Sequence, residues 1–340
     1  MQQLVFLTGG TGLIGGNLLV HLYKAGFKVR ALIRRTSSFS QLKLICDFYG
    51  IEFQPLYDSV EWVYGDTLDF IGLHDKLKGA DTVYHCAAIV SFSKKNRKEL
   101  LRTNIQGTAN MVDASIECGI SHFCFISSIG ALGDAKKGEF IDETSARDIN
   151  SQRSFYSESK YLSELEVWRG SAEGLNVIIL NPGVVLGPGI FDKGSMQLFK
   201  LGSKGFPFYT DLLTGYVDVR DICRAAMDLV SSNRSGERFV LVSENVDNKR
   251  LFTEIAHEFG QKGPVRHIGK GVLFMIACLS SFYGFISGKI PQLTKETVHT
   301  ASHPEQYSSQ LIQSTLGFRF TPISDTIHDL AVFFKRQYHN

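Results

Sequence analysis

The sequence predicts an α/β protein built on a doubly wound parallel sheet, with a smaller mixed α/β lobe. Short apolar runs alternate with amphipathic stretches of helical length. A glycine-rich turn, Thr8-Gly9-Gly10-Thr11-Gly12-Leu13-Ile14-Gly15, separates the first apolar run from the first amphipathic stretch. The residues best able to carry chemistry fall at the ends of the apolar runs, where open α/β sheets bind ligands.

The 340 residues suffice for one large domain plus a smaller lobe. Charged residues are 21% and hydrophobic ones 44%, ordinary for a globular protein. The formal net charge of +2 gives no reason to expect a polyanionic partner, and no Lys/Arg-rich block argues for nucleic acid. The six cysteines stand apart with no Cys-x-x-Cys pair, which suits reduced thiols in a cytoplasmic protein. Met1 to Leu7 has neither a basic n-region nor a long apolar h-region, so it reads as a buried first strand and not as a signal peptide.

Leu4 to Leu7 is that strand; Asn17 to Ala25 is amphipathic, and Phe27 to Ile33 is a second strand. Together with the glycine turn they form a βαβ unit of a Rossmann domain, and Gly10 to Gly15 fits G-x-G-x-x-G in its proper context. The glycines let a pyrophosphate approach the free N–H groups at a helix N-terminus. After the second strand, an NAD-specific unit would place an Asp or Glu for the ribose 2′-OH. Here stand Arg34 and Arg35 with Thr36, Ser37 and Ser38, which suit a 2′-phosphate, so NADP is expected and NAD is the alternative.

Ser38 to Gly50 reads as an inserted helix, and Val60 to Tyr64 as a third strand. Asp66 in the following loop can accept from an adenine amino group, although an Asp in a turn is also a plain turn former. Thr82 to Ala88 is a fourth strand, apolar enough to be buried on both faces. It ends in Ala87 and Ala88, where a flat nicotinamide ribose could lie close. His85 within it reads as a hydrogen-bonded core histidine. Asn104 to Cys118 is a helix, His122 to Ile126 a fifth strand ending in Ser127-Ser128, and Asn176 to Leu180 a sixth. Between these last two strands, Phe140 to Asn150 is a polar connection.

A helix running to about Glu173 carries Tyr156 and Lys160 at i and i+4, on one face. A nearby ammonium favours the phenolate, so the pair could exchange a proton with substrate. Alone, this spacing is a weak signal, since a solvated helix face carries it too. Its weight comes from Gly9–Gly15, Arg34, Asp66, Ala87, Ser128 and Asn181-Pro182-Gly183, which all fall on the same sheet edge.

With those residues in place, the chain resembles an extended short-chain dehydrogenase/reductase of the NAD-dependent epimerase/dehydratase family over nearly its whole length. It is most similar to the branch holding dihydroflavonol reductases and 3β-hydroxysteroid dehydrogenases. The motifs are Thr8–Gly15, Gly65–Asp69, His85–Ala88, Asn104–Thr108, Ser127-Ser128, Tyr156-x-x-x-Lys160, Asn181–Pro188 and Tyr216–Asp221. The resemblance implies Tyr156 as general acid/base, Lys160 as the group that lowers its pKa and holds the nicotinamide ribose, and Ser128 at the substrate oxygen. Asn104 would support the lysine through a water relay. It implies cofactor contacts from Gly9, Thr11, Gly12, Leu13, Ile14, Gly15, Arg34, Arg35, Asp66, Thr67, Ala87, Ala88, Tyr156, Lys160, Pro182, Gly183 and Val185, and it implies a homodimer. The family's Arg-Pro-x-x-x-Tyr-Gly-Pro appears here as Asn181-Pro182-Gly-Val-Val-Leu186-Gly187-Pro188, a departure from the sugar-nucleotide arrangement.

The expected organisation is a cofactor domain from 1–189 and 216–251, with a substrate lobe from 190–215 and 252–340. Phe92 and Phe191, beside the catalytic Ser128 and Tyr156, would line a fairly apolar small-molecule pocket. Residues 271–287 are the most apolar stretch, short of the ~20 residues of a spanning helix, and read as a buried or lid helix with peripheral membrane attachment as the alternative. His299 and His303 are i, i+4 without a third ligand, so no metal is expected. Three functions fit: an NADP(H)-dependent carbonyl reductase or alcohol dehydrogenase, a nucleotide-sugar epimerase/dehydratase that recycles NAD, and a non-catalytic redox sensor. The intact Ser128, Tyr156 and Lys160 favour the first over the last.

Overall fold

The computed structural model describes residues 3–91, 94–135, 138–148, 153–190, 194–269, 271–272, 275 and 304–338. Phe92, Phe191, His299, His303 and all but three residues of 271–287 lie outside the described residues. The chain runs β1 (Leu4–Thr8), α1 (Leu13–Lys24), β2 (Lys28–Ile33), α2 (Ser40–Phe48), α3 (Phe53–Ser59), β3 (Val60–Tyr64), α4 (Phe70–Leu77) and β4 (Thr82–His85). Next come α5 (Arg97–Leu101), a π-helical turn (Arg102–Gln106), α6 (Gly107–Glu117), β5 (His122–Ile126), α7 (Phe155–Ala172), β6 (Val177–Pro182) and β7 (Val184–Leu186). Beyond them lie α8 (Met196–Gly202), β8 (Phe208–Tyr209), β9 (Leu213–Asp218), α9 (Val219–Ser231), β10 (Glu237–Leu241) and β11 (Glu244–Asp247). The described elements end with α10 (Asn248–Glu258), β12 (Arg266–His267), α11 (Gln310–Leu316) and α12 (Ile323–Tyr338).

Seven strands form one parallel sheet in the order β10-β6-β5-β4-β1-β2-β3. The order reverses between β1 and β4, the point at which doubly wound sheets open a ligand crevice. Strands β1, β4 and β6 are buried at every position, because helices cover both faces. Alternation along β1 sends Leu7 to one face, against Leu18 and Leu22 of α1 and Ile222 of α9. It sends Phe6 to the other, against Leu73 of α4, Met111 of α6 and Val167 of α7.

One local expectation changes. The single inserted helix is a pair, α2 and α3, broken at Gly50, whose φ of +62° is left-handed. Phe39, Phe53, Tyr57 and Trp62 hold the pair together with ring centroids 4.9 to 6.1 Å apart. Strand β9, which bears Tyr216, pairs with β7 and β11 in a smaller mixed sheet, while β10 joins the main one. The two sheets touch where Gly183 and Gly215 meet: a Cβ on Gly183 would stand 2.4 Å from the Gly215 carbonyl oxygen. No pair of larger residues could make that contact. The small sheet covers a core of its own around Phe199, Leu251, Ile327 and Phe333.

The C-terminal segment is fastened to α9 by two buried carboxylates. Asp218 accepts from Thr326 Oγ1 at 2.8 Å and from Arg220. Asp221 accepts from the Thr321 backbone N–H at 2.7 Å and from Thr321 Oγ1 at 2.9 Å, and pairs with Arg224. Among the described residues no helix is long and apolar enough to cross a membrane.

Replacing Asp221 with Leu leaves the Thr321 donors and Arg224 without their acceptor. It should lower stability by about 2–3 kcal/mol, read as a drop in the urea midpoint at unchanged m-value.

Candidate active site

The switch point builds the first half of the site. Gly9, with φ +73°, packs so tightly on the end of β4 that a Cβ there would sit 2.8 Å from the Cys86 carbonyl carbon. A Cβ on Gly15 would stand 2.3 Å from the Gly9 carbonyl oxygen, so α1 can start only this close to the turn with glycine at that position. No side chain caps α1, and its first turn holds no acidic residue, which leaves its N-terminal N–H groups free for an anion. Thr11, Leu13 and Ile14 lie on this turn and at the start of α1.

A hydrogen-bond chain holds the far wall in place. The Ala87 N–H donates to Thr8 Oγ1 at 3.1 Å, and Thr8 Oγ1 lies 2.7 Å from His85 Nδ1. On the other side, His85 Nε2 lies 3.2 Å from Thr108 Oγ1, whose hydroxyl donates to the Asn104 carbonyl at 2.6 Å. Since Thr108 gives its only proton to Asn104, the network assigns the His85 proton to Nε2. Burial, and then the charge of Lys160, push the His85 pKa down to about 3, so the ring is neutral. It is the core histidine expected from the sequence.

The other cofactor candidates take these places. Arg34 and Arg35 are exposed at the end of β2, and neither is in an ion pair among the described residues. Arg35 lies over the Tyr64 ring at 5.6 Å. Asp66 Oδ1 accepts from the Leu68 N–H at 2.9 Å, a turn-forming bond, and the Thr67 carbonyl accepts from Asn110 Nδ2. Ala88 follows Ala87 at the open end of β4. Pro182 ends β6, Gly183 donates its N–H to the Leu241 carbonyl, and Val185 lies in β7.

The second half of the site lies on α7. Ser154 caps it, its Oγ accepting from the Ser157 N–H at 3.1 Å, and Glu158 favours the positive end. Tyr156 and Lys160 follow one turn apart. Burial pushes the Tyr156 phenol up, and a hydrogen bond with Ser128 opposes that rise. Ser128 Oγ also accepts from the Gly130 N–H at 3.1 Å. Lys160 is almost wholly buried, donates to the Ile126 carbonyl at 2.8 Å, and stands 4.8 Å from the Phe125 ring centroid. Burial lowers its pKa to about 8, against the pull of Cys86 and Glu164. Ser127, the alternative serine, points away and donates to Glu164 at 2.5 Å.

Asn104 sits in the π-helical turn, not at a helix start. Its side chain clamps the Ile89 backbone, accepting from the N–H at 2.8 Å and donating to the carbonyl at 3.0 Å. Its own carbonyl already accepts from Thr108 and from Ser163. A water relay to Lys160 through that oxygen would compete with both hydroxyls. Sequence reasoning also passed over Glu164, four residues beyond Lys160 on the same face and buried beside Ser127. The i, i+4, i+8 spacing was the available signal.

A model of the NAD dependent epimerase/dehydratase family matches residues 5–241. A cinnamoyl-CoA reductase of Petunia hybrida is 23% identical over 99% of this chain and 93% of its own length. A dihydroflavonol 4-reductase of Zea mays is 26% identical over 71% of this chain and 70% of its own. The crystal structure of gox2253 superposes with a TM-score of 0.83 at 26% identity, covering 99% of both chains.

The depressed Lys160 pKa fixes the sign of one pH effect. Between pH 8 and 10.5 the unfolded lysine holds a proton that the folded one has lost, so its burial penalty is present at pH 7 and fades upward. Relative to Lys160→Met, the wild type should therefore gain about 2–3 kcal/mol of stability between pH 7 and 10. Paired urea titrations at the two pH values measure it.

Proposed function

The chain belongs to the NAD-dependent epimerase/dehydratase family and is an NAD(P)-dependent oxidoreductase; on that premise we propose that it is an NADP(H)-dependent carbonyl reductase, or alcohol dehydrogenase in reverse, acting on a fairly apolar small molecule. The observation that carries the reading is the buried Lys160, held on the Ile126 carbonyl one turn from Tyr156 and beside Ser128 at the end of the same strand, on the edge that bears the glycine cradle. Arg34 and Arg35 stand where an acidic residue would hold an NAD ribose, which supports NADP.

When bound, a reduced nicotinamide supplies a hydride to the carbonyl carbon. Tyr156 gives its phenolic proton to the carbonyl oxygen as that carbon is reduced. Ser128, already bonded to Tyr156, holds the same oxygen in place. Lys160, with a pKa of about 8, is mostly protonated at pH 7, and its charge stabilises the phenolate left behind. In the reverse direction the phenolate takes the alcohol proton. Burial around Tyr156 and Lys160 strengthens each of these interactions by excluding water.

Tyr156→Phe should lower kcat by at least ~10²-fold, the scale of a lost general acid, while NADPH binding measured by fluorescence stays within about threefold. Retained turnover would remove Tyr156 from the chemistry. Arg34→Ala with Arg35→Ala should weaken NADPH by ~10-fold or more and leave NADH nearly unchanged, as expected for charge-assisted bonds to a 2′-phosphate. Equal losses would overturn the NADP assignment. Loosely held, exchangeable NADPH in the purified protein separates this reading from an epimerase, which would retain NAD.

A further inference from the structure

The end of β5 is joined to the buried face of α7 at three consecutive residues. Ser128 bonds to Tyr156, the Ile126 carbonyl accepts from Lys160, and Ser127 donates to Glu164. The three partners on α7 are four residues apart, so one stripe of the helix fastens the whole strand end. The third member also reaches neighbouring strands. Glu164 Oε1 accepts from Asn181 Nδ2 of β6 at 2.6 Å, and the same Asn181 Nδ2 donates to the Ser128 carbonyl at 2.9 Å. Glu164 Oε2 pairs with Arg238 of β10 at 3.3 Å. Arg238 in turn donates through Nε and Nη2 to the Glu143 carbonyl, and Glu143 Oε1 accepts from the Val240 N–H at 2.7 Å.

We propose that Glu164 is a positioning residue for the Ser128–Tyr156 pair. Its Oε1, shared by Ser127 and Asn181, fixes the main chain on both sides of the Ser128 side chain, while Arg238 holds the carboxylate itself. This deepens the reductase reading and rests on it for the consequence in turnover. Glu164 has 1% of its surface exposed and touches no reacting atom. A carboxylate this deeply buried costs several kcal/mol to desolvate unless its partners compensate. Three donors from three strands or their ends do so here, Ser127, Asn181 and Arg238, with Arg238 itself aimed by the Glu143 carbonyl. A hydrocarbon side chain of the same size would pack there without the desolvation cost, so the carboxylate's value lies in where it holds Ser128.

The experiment uses tyrosine labelled with ¹³C at Cζ, the Tyr156 signal being assigned by its loss in Tyr156→Phe. Ser128→Ala gives the position of that signal without the serine bond. In Glu164→Leu the signal should move toward the Ser128→Ala position. In Glu164→Gln, which keeps an oxygen for Ser127 and Asn181, it should stay at the wild-type position. In turnover, Glu164→Leu should lose on the order of 10²-fold in kcat, as for a ~1 Å misplacement, with NADPH affinity within about threefold, and Gln should restore most of it. A wild-type Tyr156 signal in folded Glu164→Leu, or a Gln variant displaced as far as Leu, would overturn the proposal. If Glu164→Leu fails to fold, Asn181→Ala cuts the same link, and an unmoved Tyr156 signal there overturns it equally. A wild-type protein that reduces no aldehyde or ketone would sink the reductase reading instead, and the NMR comparison would still decide the role of Glu164.

Discussion

Everything in the site depends on burying an ammonium at the junction of a helix and three strand ends. Lys160 is nearly inaccessible, and desolvation alone would strip its proton well below its usual range. Cys86 and then Glu164 pull the other way and leave its pKa at about 8, while the Ile126 carbonyl and the Phe125 ring receive the ammonium. That balance constrains its surroundings. The strand end must present a carbonyl at a fixed place, and the helix must enter at one angle. Ser154 as a cap and the serines at 159 and 163, both fully buried, set that angle: Ser163 donates to the Asn104 carbonyl, and Ser159 accepts from the Asn104 side chain.

The two halves of the site were unequally legible in the sequence. The glycine cradle could be read because its cause is local: Gly9, Gly12 and Gly15 are needed by contacts within a few residues, and by one strand end. Tyr156 and Lys160 could be read because helical spacing places them together whatever else the chain does. The two adjacent serines part company in the fold: Ser128 faces Tyr156, while Ser127 turns toward Glu164 in the interior. What spacing could not give were bonds between residues far apart in the chain. Glu164 meets Ser127 from 37 residues away and Arg238 from 74, and no local pattern announces either pairing.

The departures follow the same logic. A run from Ser38 to Gly50 carries helical periodicity and a glycine stop, but the next seven-residue helix is held by aromatic packing against Trp62, which periodicity does not see. Strand β9 lies beside β7 in the small sheet, where the missing Cβ of Gly183 leaves room for the Gly215 carbonyl, a long-range fit that its sequence does not announce. The resemblance gives Asn104 the support of Lys160 through a water relay; its side-chain amide holds the Ile89 backbone beside β4 and the Ser159 hydroxyl, contacts that spacing does not announce.

The π-helical turn that carries Asn104 has a consequence for the helix that follows. A turn of this kind holds one residue more than a regular one, so every side chain downstream is rotated by roughly 100° from where an unbroken helix would put it. Gly107 comes round to face Thr67, where a Cβ would be only 2.6 Å from the hydroxyl, and Thr108 and Asn110 come round to His85 and the Thr67 carbonyl. The phase of α6 is therefore set upstream of it. Deleting one residue between 102 and 106 would let the turn close as a regular one with α6 still in phase, whereas inserting one would swing an intact helix roughly 100° out of register with the core, although no core residue had changed.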